Sequence, residues 1–180
     1  MEPHGVLADL LGRGDTAMLT PAQLSALQTM ATAAVAAMRA TGCPARLSTA
    51  QCIVESDWLT RYPDHNVFGI KATDSNASYC FTQEFEDGTW RNPECGFQNY
   101  PDMAACFAAH ARLLQGGVYA AAWKRYQLNR TNPRFLAALD TYITDISAHY
   151  ATDPDYASKI ITLAHGPHVA AAIAAARGQA

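Results

Sequence analysis

Glu55 lies in Ala50-Gln51-Cys52-Ile53-Val54-Glu55-Ser56-Asp57-Trp58, near the predicted C-terminal end of a short helix. A helix C-terminus is the negative end of the backbone dipole and disfavours an ionised carboxylate. Trp58 is three positions on, on the same face if the helix persists. Apolar burial against an indole acts in the same direction as the dipole. Both effects raise a carboxyl pKa, as a general acid working near neutral pH requires. The plainer reading of the same position is a solvated glutamate on an exposed turn.

Glycosidic hydrolysis by the usual two-acid schemes needs a second carboxylate. Thr82-Gln83-Glu84-Phe85-Glu86-Asp87-Gly88 supplies Glu84, Glu86 and Asp87. In a strand, Glu84 and Glu86 share one face and Phe85 takes the other. An ordinary solvated hairpin face has the same pattern. The stretch His65-Asn66-Val67-Phe68-Gly69-Ile70-Lys71-Ala72 mixes turn formers with an apolar triplet. Asn66 and the amides near Gly69 can bind sugar acetamido and hydroxyl groups, while Phe68 and Ile70 suit a core. Tyr150 and Tyr156 flank Asp153-Pro154 and can either line a cleft or pack.

Other chemistries find less support. The histidines (His65 beside Asp64, then His110, His149, His165 and His168) show no metal-ligand spacing, and no H-E-x-x-H is present. No metal and no cofactor are expected. There is no G-x-S-x-G and no phosphate-cradling glycine loop. Five cysteines exclude complete pairing within the chain, and none forms C-x-x-C. A Cys80–Cys95 bridge would close a loop of about 15 residues and contribute ~3 kcal/mol; five reduced thiols is the alternative.

The elements that must hold these residues are mostly helices. Thr20-Pro21-Ala22-Gln23 reads as a capping box with proline at the first helical position, and Gly42 ends that helix. Ser48-Thr49-Ala50-Gln51 reads as a second capping box, opening the helix of Glu55. Residues 60–99 lose helical periodicity, and Asp87-Gly88 offers a hairpin turn. Helices are predicted again from Asp102, Val118, Asn132, Asp153 and His168. The expected class is α+β and mostly helical. An arm covers residues 1–19, with a helical turn over 5–11. One domain covers 20–180, with a β-lobe over about 64–99.

In 180 residues, 49% hydrophobic and 16% charged, the balance is globular. Lys+Arg 13 against Asp+Glu 16 gives net −3, which argues against a nucleic-acid partner held by overall basicity. No apolar run approaches the ~20 residues of a membrane span. The acidic start Met1-Glu2-Pro3-His4 and the interruption at Asp9 do not read as a secretion signal.

The order of motifs resembles the cell-wall glucosaminidases of glycoside hydrolase family 73, which include flagellar peptidoglycan hydrolase domains and autolysins. The residues that carry it are Ala50-x-x-x-x-Glu55-Ser56-x-Trp58, Asn66-Val67-Phe68-Gly69-Ile70-Lys71-Ala72, Thr82-x-Glu84-Phe85, Phe97-x-x-Tyr100 and Tyr150-Ala151-Thr152-Asp153-Pro154-Asp155-Tyr156-Ala157-x-Lys159. They extend over about residues 45–165. The resemblance implies a lysozyme-like fold with a saccharide groove between a helical lobe and a small β-lobe. It implies cleavage of the β-1,4 bond after N-acetylglucosamine in peptidoglycan. Glu55 falls on the catalytic acid, Glu84 on the second carboxylate and Tyr150 on the motif tyrosine near the acid. Trp58, Asn66, Phe68, Gly69 and Tyr156 are the expected substrate-binding residues. The family's glycines around the tryptophan are Asp57 and Leu59 here, so that turn is expected to differ. Ala108-Ala109-His110 removes one acidic candidate of some members. The implied protein is a monomeric autolysin or phage endolysin that acts on glycan strands in the wall, the phage form being released at lysis. A lytic transglycosylase on the same fold and a non-catalytic wall-binding module are the rival expectations.

Overall fold

The computed structural model describes residues 18–81, 84–86, 89–91, 94–130 and 135–178, the side chains of 84–86, 90 and 91 excepted. The expected turn over 5–11 and the Asp87-Gly88 corner lie outside the described residues. Helix α1 spans Pro21–Thr41. Its start is the predicted capping box: the Thr20 hydroxyl accepts from the Gln23 amide, and the Gln23 side chain accepts from the Thr20 amide. It ends on Gly42, whose φ of 82° is left-handed backbone that glycine adopts at little cost.

Helix α2 spans Ala45–Ser56 and begins three residues before the second expected capping box, directly after Pro44. The proline already blocks further helix toward the N-terminus. Ser48 and Gln51 therefore stand inside the helix, buried, rather than at its cap. Helix α2 is enclosed almost all round because α1, α3 (Met103–Leu113), α6 (Tyr156–His165) and α7 (Pro167–Gly178) all pack on it. Alanines at 31, 34, 37, 45 and 50 let these helices approach closely around Met30, Leu47, Ile53 and Phe107. Helices α4 (Ala120–Asn129) and α5 (Phe135–Tyr150) pair with each other, and α5 packs on α6. The Tyr142 hydroxyl, buried between them, donates to the Leu114 carbonyl at 2.7 Å.

Between α2 and α3 the chain forms two antiparallel ladders. Strand β1 (Ala77–Phe81) pairs with β4 (Glu94–Gln98), and β2 (Glu84–Glu86) pairs with β3 (Thr89–Arg91). The expected single hairpin is thus nested inside an outer one. Cys80 and Cys95 stand directly opposite each other in the β1–β4 register, with no disulfide between them. Among the described residues no helix is long and apolar enough to cross a membrane.

Candidate active site

Glu55 is the next-to-last residue of α2, so the dipole's negative end lies at its carboxyl. The side chain is open to solvent on one side and crowded by protein on the other. That crowding raises its pKa from 4.5 to about 6, against the opposing pull of a hydrogen bond from Tyr156. The Tyr156 hydroxyl donates to Glu55 Oε1 at 2.7 Å, and the buried Gln51 amide donates to the same hydroxyl at 3.1 Å. Gln51 lies one helical turn before Glu55, so both face Tyr156 at the start of α6.

Tyr150 ends α5 and stacks on Tyr156, with ring centroids 5.6 Å apart. Burial, and then the nearby charge of Glu55, hold the hydroxyls of Tyr150 and Tyr156 in their neutral, donating form. The Asp153-Pro154 break between α5 and α6 is what turns the chain so that both tyrosines face the end of α2.

The structure brings Glu55, Tyr150 and Tyr156 together. Three other residues expected to contact substrate are buried. Asn66 is buried: its amide donates to the carbonyls of Ile70 and Gln98 at 2.8 and 2.9 Å and accepts from the Ile70 amide at 2.9 Å. Its hydrogen-bonding capacity is spent on closing the loop over residues 66–70 and tying it to β4. Phe68 is buried and stacks face to face on His110 at 3.7 Å. Trp58 is also core; α2 ends before it, so it does not share a helical face with Glu55. Tyr156 is likewise enclosed, and its polar atom serves Glu55. Gly69 remains exposed, at φ 62°.

The turn after α2 does not avoid glycine-type backbone. Asp57, Trp58 and Leu59 have φ of 46°, 60° and 62°. The Ser56 hydroxyl accepts from the Leu59 amide at 3.0 Å, and Arg61 N–H reaches the Ser56 carbonyl. Those bonds hold three consecutive left-handed residues without a glycine.

Glu84 and Glu86 are described only as backbone of β2, so the expected placing of either carboxyl near Glu55 falls outside what is described. The histidines are dispersed: His165 pairs with Asp140 at 2.6 Å, while His110 is enclosed in the core. Sequence reasoning missed Gln51 by assigning it to a helix cap. The signal that marks it is its position four residues before Glu55.

Comparison with known proteins places this geometry. Residues 31–167 match the glucosaminidase family, described as mannosyl-glycoprotein endo-β-N-acetylglucosaminidase. The chain is 34% identical over 122 residues to a probable N-acetylmuramidase of Lactococcus lactis, covering 62% of this chain and 26% of that protein. It is 32% identical over 164 residues to the peptidoglycan hydrolase FlgJ of Pseudomonas aeruginosa, covering 83% of this chain and 38% of that one. It thus spans about a quarter to two fifths of these relatives' length. The catalytic domain of the autolysin Auto from Listeria monocytogenes superposes with a TM-score of 0.68 at 22% identity, over 89% of this chain and 93% of that one. A C-terminally truncated glycoside hydrolase domain of Salmonella typhimurium FlgJ superposes at 0.56 with 27% identity, over 79% and 95%. The mostly helical α+β architecture is therefore the lysozyme-like fold of these domains, and the chain belongs to the glucosaminidase family, glycoside hydrolase family 73.

Proposed function

We propose that this chain is a peptidoglycan hydrolase that cleaves the β-1,4 bond after N-acetylglucosamine, with Glu55 as general acid. The observation that carries the reading is the Glu55 carboxyl itself, open on one side and with a pKa of about 6. An acid so tuned keeps its proton up to about pH 6 and can give it to the glycosidic oxygen as the bond breaks. Tyr150, beside it with a neutral hydroxyl, stabilises charge at the same corner. Glu84 activates the attacking water or stabilises the oxocarbenium-like sugar; Glu86 is its alternative. The enzyme works as a monomer, in the wall, on glycan strands.

The relatives' names differ about which sugar is attacked: the Lactococcus protein is called a muramidase and the family a glucosaminidase. The ends left by cleavage separate the readings. Purified wall digested with this protein should yield reducing N-acetylglucosamine ends by mass spectrometry. Reducing N-acetylmuramic acid ends would make it a muramidase, and anhydromuramyl ends a lytic transglycosylase. Binding without new ends would make it a wall-binding module. Glu55→Gln should fold normally and lose at least ~100-fold in activity, the low end of what general acid catalysis supplies. The acid must be protonated, so wild-type activity should fall as pH rises through about 6. An active Glu55→Gln variant would remove the acid.

A further inference from the structure

The hydroxyl of Tyr156 has a single hydrogen and lies between two polar side chains of α2. The Gln51 amide nitrogen is 3.1 Å from it and Glu55 Oε1 is 2.7 Å from it. Since the amide donates, the phenolic hydrogen goes to Glu55. Gln51 is fully buried, and among the described residues its other amide atom, Oε1, has no hydrogen-bond partner. Buried orphan acceptors are uncommon and call for an explanation. Turning the amide over would let the Gln51 oxygen accept from Tyr156. The chain would then run the other way: Glu55 would have to donate to Tyr156, and its proton would be held inside the protein.

We infer that Gln51 is a positioning residue that sets the direction of this hydrogen-bond chain, so that Oε1 of Glu55 remains an acceptor and the transferable proton resides on Oε2. The inference rests on the reading of Glu55 as the acid. Among the described residues, Oε2 of Glu55 receives no hydrogen bond, so it is the oxygen left for a substrate. A carboxylic acid with one oxygen engaged as acceptor carries its hydrogen on the other. The relay thus determines where the proton sits as well as how tightly it is held. The orphaned Gln51 oxygen is the cost of fixing that direction.

The titratable groups around Glu55 leave its own titration legible. Tyr156 of α6, Tyr150 at the end of α5 and Cys52 of α2 all feel its charge, and burial pushes all three up so that they stay protonated. Cys106 of α3, behind them, is pushed up to about 12.

The test compares wild type, Gln51→Met, Gln51→Leu, Gln51→Glu and Glu55→Gln on purified wall, with kcat, KM, a pH–rate profile and a carbon-13 NMR titration of the Glu55 carboxyl. Methionine keeps the volume and removes the donor. Its kcat should fall about tenfold, a fraction of what general acid catalysis supplies, with KM nearly unchanged. Tyr156 then donates less reliably to the carboxylate. The Glu55 titration and the alkaline limb of the profile should both move up by about half a pH unit. Gln51→Glu supplies a competing acceptor for the phenolic hydrogen and should lose more. A Gln51→Met enzyme with the wild-type kcat and profile overturns the inference. So does one that loses activity with an unmoved Glu55 titration, because that is loss of structure alone. If Gln51→Met does not fold, the titration in Gln51→Leu decides by the same criterion, since a Gln51→Glu carboxylate would raise the Glu55 pKa by charge repulsion alone. If Glu55→Gln is active, the acid assignment fails and this inference falls with it. If Glu55→Gln is inactive and the titration in Gln51→Met or Gln51→Leu is unmoved, only this inference falls.

Discussion

The corner that holds Glu55 and the β-lobe that follows it solve the problem of placing polar groups in opposite ways. At the corner, four helices enclose α2, and the polar atoms of Gln51, Tyr156 and Glu55 form one line from the core to the surface. In the lobe two aromatic side chains of β1 turn outward: Tyr79 is 66% exposed and Phe81 72%. The lobe is tied to the body through a few polar anchors near residues 64–71. They include the Asn66 hydrogen bonds, the Ser78 hydroxyl on the Asp64 carboxylate, the Gln98 amide on the Ile70 carbonyl, and the bridge between Lys71 and Phe97. A proton donor gains from a rigid, partly dry seat. On the proposed function the lobe admits a glycan strand, and its attachment rests on individual bonds.

That contrast is most easily broken at Asn66. Asn66→Ala leaves the Ile70 amide and the Gln98 carbonyl without their side-chain partner; the Ile70 carbonyl keeps the Gln98 amide at 2.9 Å. The expected loss is about 3 kcal/mol in denaturant unfolding, the cost of two buried polar groups deprived of partners. Amide exchange should accelerate in β1 and β4 and remain slow in α1 and α2. Uniform acceleration across both regions would mean that the lobe is not separately anchored.

His110 sharpens the same contrast from the body side. It is fully buried against Phe68, neither ring nitrogen has a hydrogen-bond partner among the described residues, and burial lowers its pKa to about 3. A histidine depressed in this way contributes stability above its unfolded pKa of 6.5 and loses it as pH falls toward 3. Between pH 7 and pH 5 the unfolded chain takes up a proton that the folded chain refuses, worth about 2 kcal/mol. Glu55 works in the other direction: its raised pKa favours the folded state below 4.5, and that advantage is lost as pH rises through about 6. His110→Leu should therefore remove most of the acid-side loss of stability in thermal melts, leaving the shallower opposite trend of Glu55. An unchanged acid limb would mean that the ring titrates in the folded protein.

The helices were legible where local chemistry is decisive. The Thr20 capping box, the Gly42 stop and the helix start at Asp102 depend on a few neighbouring residues, and each appears in the structure. Glu55 at a helix end was legible for the same reason. The second capping box was misleading because Pro44, four residues earlier, also starts a helix, and tertiary packing then buries Ser48 and Gln51. Asn66, Phe68 and Trp58 read as ligand contacts because residue type does not reveal what a side chain faces. Only the assembled lobe shows that Asn66 is consumed by backbone groups 4 and 32 positions away. The Gln51–Tyr156 contact joins residues 105 apart, beyond any spacing rule.

The smallest expected effect lies at the hinge between the two regions. Asp57, which caps α2, has φ 46°, in the left-handed region where a side chain is strained and glycine is not. Trp58 and Leu59 share the strain but also pack on the core, so trimming them would cost contacts. Asp57 is the position where the strain can be relieved alone. Its backbone N–H to Ile53 closes the helix whatever the side chain. Asp57→Gly should raise stability by about 0.5–1 kcal/mol, with the added freedom of the unfolded chain limiting the gain. Activity should be unchanged if the turn serves only to end α2 behind Glu55. A more stable but less active Asp57→Gly enzyme would instead show that the strained turn helps hold the acid, coupling the lobe's entry to the corner it leaves.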